Sequence, residues 1–467
     1  MNTNPSFIRV MAIVCAVSLI PLHAAWPEMT LQVGKPDAAA KQMVRPLHGI
    51  CNFAPFVGGA QLLPAFRELG APYSYFHDAA YENPGLDLLD VSRIFPLFHA
   101  DPEDPANYRF AESDLYLKMV LEAGTKIIFR LGETIEIFSP KQRVRPPRDF
   151  QKWAVVCEHI VRHYNEGWAD GFRWDIRDWA IWEEPNNPNL WAGEFSQYLE
   201  LYAVTAMHLK RRFPGIRVGG PETTTLGGKY FAQFLDFVKE RKLPLDFTAF
   251  TAYFRQPDDM LEGCRERRRM LDERGFDKIP LWINEWHLCP DWDDWNHPAG
   301  RILELRRVGG VQGGVYTTAG LCALQDAPVE RACFYTSCMH AGWGLFDENG
   351  QPSPSFDVML YFARLYRRSA QRLPIAYAGE TANTHALASL RQDGGLDLML
   401  GAFVEGMRTF RVGIPAGYRL TSLHVLDATG RRMEKCLPGE YRREGDTLVI
   451  EKPCGPAAYF AEFDRNP

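Results

Sequence analysis

The chain has 467 residues, which is enough for one large domain and a smaller one. Hydrophobic residues make up 46% and charged residues 24% of the chain, as in an ordinary soluble protein with a sizeable core. A formal charge of −6 without a basic cluster argues against an electrostatic nucleic-acid binder, so we expect no nucleic-acid partner.

The first 24 residues have the pattern of an export signal. Arg9 precedes an apolar run from Val10 to Leu22, and Ala24 offers a small residue for cleavage. The run is too short to span a bilayer as a helix. We therefore expect residues 1–24 to be removed, and the remaining chain to be periplasmic or extracellular without membrane contact. An uncleaved anchor is the alternative.

The cysteines indicate neither a regular disulfide framework nor a metal site. Of the ten cysteines, Cys15 falls in the signal, and an odd number remains, so at least one stays unpaired or pairs between chains. Cys436 and Cys454 could form a bridge, but buried free thiols are expected for most of the others. Since no His/Cys cluster has metal-ligand spacing, we predict no metal and no cofactor.

Between residues 25 and 371, strand patterns alternate with helical patterns. The strands are predicted at 48–52, 73–78, 126–131, 178–184, 216–221, 245–253, 279–287 and 331–335. One intervening helix is clear from apolar residues at helical spacing, namely Trp153, Cys157, Ile160, Val161 and Tyr164. Such alternation predicts an α/β fold in which parallel strands close into a (β/α)₈ TIM barrel.

The pattern changes after about residue 372. Short alternating runs separated by Gly, Asp and Pro predict an antiparallel β-sandwich over residues 372–467, and a strand from residues 26–45 could join it. No combination of carboxylates and aromatic residues in this region suggests catalysis. We interpret it as a packing domain, with independent sugar binding as the alternative.

Two of the predicted barrel strands end in glutamates that lie beside tryptophan. Glu183 and Glu184 follow Trp182, and Pro185 ends the strand because it cannot donate to the ladder. Glu285 ends another strand about a hundred residues later. In such barrels the chemistry lies at the C-terminal strand ends. Two carboxylates there are what a retaining glycosidase needs, one as proton donor and one as nucleophile. Solvated loop carboxylates are the alternative interpretation.

These segments resemble glycoside hydrolase family 39, which contains β-xylosidases and α-L-iduronidases, over most of residues 45–370. The resemblance rests on Tyr108-Arg-Phe110, Phe129-Arg-Leu-Gly132, His163-Tyr164, Trp182-Glu-Glu-Pro-Asn186 with Trp191 downstream, Val218-Gly-Gly-Pro221, Asn284-Glu-Trp286 and Gly344-Leu-Phe346. It implies a retaining barrel with the acid/base after strand four, the nucleophile after strand seven, and a β-sandwich beside the barrel.

By this resemblance, Glu184 matches the acid/base and Glu285 matches the nucleophile. The family usually has Asn directly before the acid/base, where this chain has Glu183. The residue before the nucleophile is Asn284 rather than Thr or Ser. In addition, a strand-two Arg-x-His appears as Tyr75-Phe-His77, and Thr251 stands where a histidine is expected on strand six. We therefore expect a retained reaction and a rebuilt sugar pocket.

The candidate substrate-binding residues are His77, Arg130, Trp182, Glu183, Asn186, Tyr253, Trp286 and Trp343. The three tryptophans are candidates for a platform under the sugar ring, with burial in the core as the alternative. Tyr253 could hold Glu285 by a hydrogen bond or belong to the core. His77, Asn186 and Arg130 could bind hydroxyls or a sugar carboxylate, although Arg130 could instead form a structural ion pair. Glu183 could shape the sugar subsite or be structural.

The sequence therefore predicts a β-xylosidase-like retaining glycoside hydrolase whose partner is a poly- or oligosaccharide. One alternative is a non-catalytic carbohydrate-binding barrel with a remodelled sugar pocket. Another is a surface protein that uses the sandwich for adhesion. Release of sugar from aryl glycosides distinguishes the enzyme from both.

Overall fold

The computed structural model describes residues 27–37, 42–53, 59–77, 87–137, 139–452 and 454–466. Residues 1–24, on which the export signal falls, lie outside these ranges, so the signal stays a prediction. Within the described ranges, every helix is too short or too polar to cross a membrane.

Strand β1 (Glu28–Val33) comes first along the chain and belongs to the C-terminal domain. Eight parallel strands of the described chain then form a barrel: β2 (Gly49–Ile50), β3 (Tyr73–Tyr75), β4 (Lys126–Leu131), β5 (Asp178–Ile181), β6 (Arg217–Gly219), β7 (Thr248–Phe254), β8 (Leu281–Leu288) and β9 (Arg331–Phe334).

Helices occupy the connections between these strands and surround the barrel. They are α1 (Gly59–Leu69), α2 (Val91–Ile94), α3 (Ala111–Glu122), α4 (Phe150–Asn165), α5 (Phe195–Arg212), α6 (Gly228–Arg241), α7 (Pro257–Glu273), α8 (Trp292–Asn296), α9 (Pro298–Val308), α10 (Val311–Leu324) and α11 (Pro354–Arg368).

The barrel consists of two four-stranded sheets, in the orders β3-β4-β5-β6 and β2-β9-β8-β7. On one side, Gly219 at the end of β6 pairs with Phe247 beside β7. On the other, the backbone N–H of Asn52 donates to the carbonyl oxygen of Tyr75 at 2.9 Å. These contacts close the barrel, so the predicted fold is confirmed. By this count β5 is strand four and β8 is strand seven.

The N-terminal end of the barrel is closed by charge and aromatic contacts. Asp178, the first residue of β5, accepts from Arg217 and from Arg331, each at 2.6 Å. Both guanidinium groups lie over the ring of Trp282, at 5.1 and 4.3 Å from its centroid. In barrels of this type the chemistry lies at the opposite end, where the strands reach their C-termini.

The C-terminal domain is a sandwich of two sheets. Its remaining strands are β10 (Ser369–Leu373), β11 (Ile375–Gly379), β12 (Thr384–Arg391), β13 (Leu396–Ala402), β14 (Arg408–Gly413), β15 (Tyr418–Asp427), β16 (Glu434–Lys435), β17 (Tyr441–Glu444), β18 (Thr447–Lys452) and β19 (Ala457–Arg465). The sheet orders are β11-β1-β14-β18-β17 and β10-β12-β13-β19-β15-β16.

Strand β1 lies in the segment from which we expect a joining strand. It pairs antiparallel with β11 and parallel with β14, so the sandwich is not antiparallel throughout. The disulfide that Cys436 and Cys454 could form is not present between these two residues. Cys436 is buried and Cys454 is exposed, and every cysteine in the described ranges has a free thiol.

The sandwich packs closely against helix α10 of the barrel domain, which is buried from Gly313 to Leu324. At Gly401 on β13, a Cβ atom would lie 2.5 Å from the backbone nitrogen of Ala319 and 2.8 Å from its Cα atom. Backbone atoms of a helix cannot turn aside as a flexible side chain can, so glycine is required at this contact.

We expect Gly401→Ala to lower the thermal unfolding temperature, with a loss of about 1–3 kcal/mol from overpacking. Gly215→Ala is the matched control, because nothing lies within 4 Å of its added Cβ atom. Calorimetry of both variants tests this, and equal unfolding temperatures for the two would contradict the packing argument.

Candidate active site

The backbone kinks where β5 ends, and this places two consecutive glutamates in the barrel mouth. Trp182 has a φ of 64° and Glu184 a φ of 38°, both in the left-handed region that bulky residues rarely adopt. Neighbouring strands hold the kink, because the N–H of Trp182 donates to Leu131 O and that of Glu184 donates to Glu222 O, each at 2.9 Å. A regular strand would point consecutive side chains to opposite faces.

Glu184 is partly exposed and held on both carboxyl oxygens. Thr251 Oγ1 donates to Oε1 at 2.8 Å, and Asn187 Nδ2 donates to Oε2 at 2.8 Å. Loss of hydration, followed by the charge of Glu285, raises the pKa of Glu184 to about 7, although the two hydrogen bonds act in the opposite direction. Glu184 can therefore carry a proton near neutral pH.

Glu285 lies on β8, where its surroundings lower its pKa instead of raising it. Tyr253 donates to its Oε2 at 2.6 Å, and His77 Nε2 contacts its Oε1. Burial alone would raise the pKa of Glu285, but the charge of His77 and hydrogen bonds from Glu183, His77 and Tyr253 lower it to about 2. Glu285 is therefore ionised over the working pH range of most enzymes.

Glu183 is completely buried and does reach the centre of the site. Asn284 Nδ2 donates to its Oε1 at 3.2 Å, and His77 Nδ1 lies 3.1 Å from its Oε2. Burial holds the pKa of Glu183 well above its usual value, and the nearby charge of Glu285 adds to this effect. The imidazole of His77 thus bridges Glu183 and Glu285.

One ligand atom each from His77, Glu183 and Glu285 lies within 4.8 Å of the others, a spacing that could hold a metal ion. The two ring nitrogens of His77, however, face different carboxylates. The imidazole itself therefore lies between the two carboxyl groups and connects them.

Residues 56–373 match the family model described as glycosyl hydrolases family 39. The chain belongs to this family.

Curated relatives include two β-xylosidases. The enzyme from Geobacillus stearothermophilus is 28% identical over 256 residues, which are 49% of this chain and 49% of the relative. The enzyme from Caldicellulosiruptor saccharolyticus is 23% identical over 354 residues, 70% of this chain and 68% of the relative. The match thus spans about half the length of the first relative and about two thirds of the second.

Solved structures show the same fold. A glucosidase from Croceicoccus marinus superposes with a TM-score of 0.71 at 22% identity, covering 95% of this chain and all of the other. A family 39 β-xylosidase from Caulobacter crescentus superposes with a TM-score of 0.67 at 18% identity, covering 94% of this chain and all of the other. At these identities the comparison supports the barrel and sandwich alone.

Two of the predicted binding residues of this family 39 chain do not face the barrel mouth. Trp182 is fully buried in the core outside the barrel, where its Nε1 donates to Leu190 O at 2.7 Å. Trp286 is also fully buried and packs edge-on against Phe334, with ring centroids 5.4 Å apart. Neither ring can lie under a sugar, so the platform role predicted for these two is wrong. The kink at Trp182 is what directs that ring outward.

Two further candidates are engaged by the protein itself. Arg130 is buried and pairs with Asp90 Oδ1 at 3.0 Å, which is the structural alternative to sugar binding. Asn186 uses its amide to join two loops: its Nδ2 donates to Thr224 Oγ1 at 2.7 Å, and its Oδ1 accepts from Thr224 N at 3.1 Å. We therefore correct the substrate-binding role of Arg130, whereas that of Asn186, which is half-buried, stays a prediction.

Tyr253, His77 and Glu183 are brought together at the site, and Trp343 lies beside them. The ring centroid of Trp343 is 5.7 Å from that of Tyr253 and 5.9 Å from that of Tyr335. With 7% of its surface exposed, Trp343 borders the mouth of the barrel. It is the one tryptophan of the three whose position allows a platform role.

The sequence interpretation missed Glu222, which follows β6. Its carboxyl group is completely buried and accepts a hydrogen bond from Tyr75 OH. Burial raises the pKa of Glu222 to about 8. The signal was present, because Val218-Gly-Gly-Pro-Glu222 is also a short strand that ends in proline and glutamate. Glu222 is thus another carboxyl group that is neutral at pH 7.

We expect Glu222→Gln to change the pH dependence of stability. A carboxyl group whose folded pKa of about 8 exceeds its ordinary 4.5 stabilises the fold fully at low pH and loses that contribution as pH rises through 8. Gln cannot ionise, so the variant should match the wild type near pH 4.5 and unfold at a higher temperature at pH 8.5.

Calorimetry across this pH range is the measurement. Glu222→Ala is the control, because it also cannot ionise but leaves the hydroxyl of Tyr75 unpartnered. It should be less stable than Glu222→Gln by about 2–4 kcal/mol, with a parallel pH curve. Parallel pH curves for wild type and Glu222→Gln would show that Glu222 is already ionised in the folded state.

Proposed function

We propose that the chain is a retaining glycosidase of β-xylosidase type. The observation that carries this proposal is the opposite direction of the pKa shifts of two glutamates, one at the end of β5 and one on β8. The pKa of Glu184 is raised to about 7 and that of Glu285 is lowered to about 2. When the surroundings of two carboxyl groups separate their pKa values in this way, the group with the raised pKa is suited to be the acid and the ionised group to be the nucleophile.

In the first step, the ionised carboxylate of Glu285 attacks the anomeric carbon of the sugar. The bond from that carbon to the leaving oxygen breaks, and Glu184 transfers its proton to this oxygen, so the leaving group departs as a neutral alcohol. Tyr253 orients the attacking carboxylate through its hydrogen bond at 2.6 Å. The product of this step is a sugar ester of Glu285.

In the second step, the now ionised Glu184 accepts a proton from water while the water oxygen attacks the anomeric carbon and frees Glu285. The charge of Glu285 contributes to the raised pKa of Glu184. That charge disappears when Glu285 becomes an ester, so the pKa of Glu184 falls in the intermediate. The acid of the first step is thereby converted into the base of the second.

For the sugar bound in this site, we propose a neutral β-glycoside, with β-xylosides as first candidates because the two curated relatives described above are β-xylosidases. Glu183 and Glu222 add carboxyl groups beside Glu285 that repel an acidic sugar whenever they ionise. Arg130, a cation that could bind a uronic carboxylate, is paired with Asp90. A screen of neutral and uronic aryl glycosides tests this preference.

The two glutamates should respond differently to substitution. Glu285→Gln removes the nucleophile and should abolish activity on every glycoside. Glu184→Ala removes the acid and should slow glycosides of basic alcohols by about 10²–10⁴-fold, while activated aryl glycosides lose far less in the first step. Azide should restore turnover of Glu184→Ala by replacing water, and the glycosyl azide should keep the configuration of the substrate.

Steady-state kinetics with both classes of glycoside provides the measurement. Glu112→Gln, an exposed glutamate on α3, is the control and should retain full activity. An equal loss on activated and basic leaving groups in Glu184→Ala would contradict the acid/base role of Glu184.

The pH profile of kcat/KM should have an acidic limb near pH 2 from Glu285 and an alkaline limb near pH 7 from Glu184. The hydrogen bond from Thr251 stabilises the ionised form of Glu184 and lowers its pKa. Thr251→Val should therefore raise this pKa and move the alkaline limb to higher pH, while the acidic limb stays in place.

Rates measured across pH test this shift. Thr421→Val is the control, because its hydroxyl donates to Glu462 O in the sandwich, distant in the fold from the barrel mouth. If the alkaline limb of Thr251→Val stays in place or moves to lower pH, Glu184 is not the group that produces it.

A further inference from the structure

A cavity of about 540 Å³ adjoins the two catalytic glutamates and is lined by the loops after β6, β7 and β8. Two of its lining residues hold the catalytic carboxyl groups. Thr251 donates to Glu184 at 2.8 Å, and Tyr253 donates to Glu285 at 2.6 Å. The side chains of Thr251 and Tyr253 therefore lie between the cavity and the carboxyl groups of the two glutamates.

Neither Glu184 nor Glu285 lines this cavity itself. The anomeric carbon must contact both carboxyl groups, so the bond that is cleaved lies outside the cavity. What binds in it is the adjoining part of the substrate. Thr251, which lines the cavity, is the partner of the acid, and the acid delivers its proton to the leaving oxygen.

The rim of the cavity carries two apolar side chains that face water. Leu226, after β6, is 93% exposed, and Trp292, after β8, is 46% exposed. A single exposed apolar residue needs no explanation. Two on the rim of one cavity beside a reactive centre indicate a surface that becomes covered when a ligand binds.

The threonine hydroxyls of the cavity are engaged within the protein. Thr225 Oγ1 donates to Thr251 O and accepts from Tyr253 N, both at 2.9 Å. Thr224 Oγ1 accepts from Asn186, as described above. Arg255 and Asp259 are the charged residues of the lining, and Arg255 pairs with Asp291 at 3.1 Å. The threonines thus join the loops to each other, and the apolar rim is the part of the cavity that favours an apolar ligand.

We propose that this cavity is the leaving-group subsite and that it takes an aromatic or alkyl aglycone, with Trp292 and Leu226 as its specificity-determining residues. The inference rests on the proposed glycosidase function. In this view, the alcohol released in the first step leaves across Trp292. The ring of the aglycone stacks on the indole, and Leu226 covers it from the opposite loop.

The test compares benzyl and methyl glycosides of the sugar that the aryl-glycoside screen selects. The two leaving alcohols are nearly equal in basicity, so a difference in kcat/KM reports binding of the benzyl ring rather than chemical activation. Burial of that ring should favour the benzyl glycoside by roughly tenfold. The disaccharide of the same sugar is the third substrate, and it should be cleaved less efficiently than the benzyl glycoside.

Substitutions at the rim should remove this preference. The ratio of kcat/KM for the benzyl glycoside to that for the methyl glycoside should fall to about one in Trp292→Ala. In Leu226→Ser it should fall to an intermediate value. In both variants the change should appear in KM. Leu115→Ala is the matched control, because Leu115 is 61% exposed on α3 and remote in the fold from the cavity. Its ratio should equal that of the wild type.

A second measurement follows transfer of the sugar to added alcohols. Benzyl alcohol should compete with water for the covalent intermediate better than methanol does at equal concentration, and Trp292→Ala should remove this advantage. Three results would each overturn the proposed subsite. The first is an equal kcat/KM for the benzyl and methyl glycosides in the wild type, and the second is a preference for the disaccharide. The third is a wild-type ratio of benzyl to methyl kcat/KM in the rim variants. Failure of the wild type to cleave any glycoside would overturn the proposed function itself, and the subsite with it.

Discussion

The barrel mouth brings together four carboxyl groups in a space with little water, and they cannot all ionise. Glu183, Glu184 and Glu222 have raised pKa values, and only Glu285 has a lowered one. His77 contacts both Glu183 and Glu285, and its charge lowers the pKa of each. A buried charge requires partners, and Glu285 has more of them, because hydrogen bonds with Glu183, His77 and Tyr253 lower its pKa further. The proposed roles of acid and nucleophile depend on this difference in ionisation.

The kink in the backbone after β5 places two of these carboxyl groups in the mouth. Left-handed conformations at Trp182 and Glu184 are unfavourable for such side chains and persist because the surrounding strands hold them. The kink directs the indole of Trp182 into the outer core and both Glu183 and Glu184 into the mouth. Glu183 can therefore contact His77 and Asn284 while Glu184 remains beside Thr251. One local distortion thus supplies two carboxyl groups with different environments.

The barrel, the sandwich and the two strand-end glutamates were predictable because each rests on a local pattern of alternation or on adjacent residues. The outward position of Trp182 and Trp286 was not. The face of Trp182 depends on the left-handed φ angle that it adopts just after β5. The face of Trp286 depends on a register shift between β8 and β9, which lies between Ile283 and Trp286. Glu222 was missed for a related reason. Its role depends on Tyr75, which is distant in sequence and meets it only when the barrel closes.

The sandwich also bears on the site, although it supplies no catalytic group. Asp258, at the start of α7, accepts from His385 at 2.7 Å and from the backbone N–H of Asn383 at 2.8 Å. These contacts anchor the segment that follows β7, and β7 carries Thr251 and Tyr253, which donate hydrogen bonds to Glu184 and Glu285. The sandwich therefore restrains the strand whose side chains orient the proposed acid and the proposed nucleophile. A barrel separated from its sandwich would keep its glutamates but lose a restraint on the groups that control their protonation.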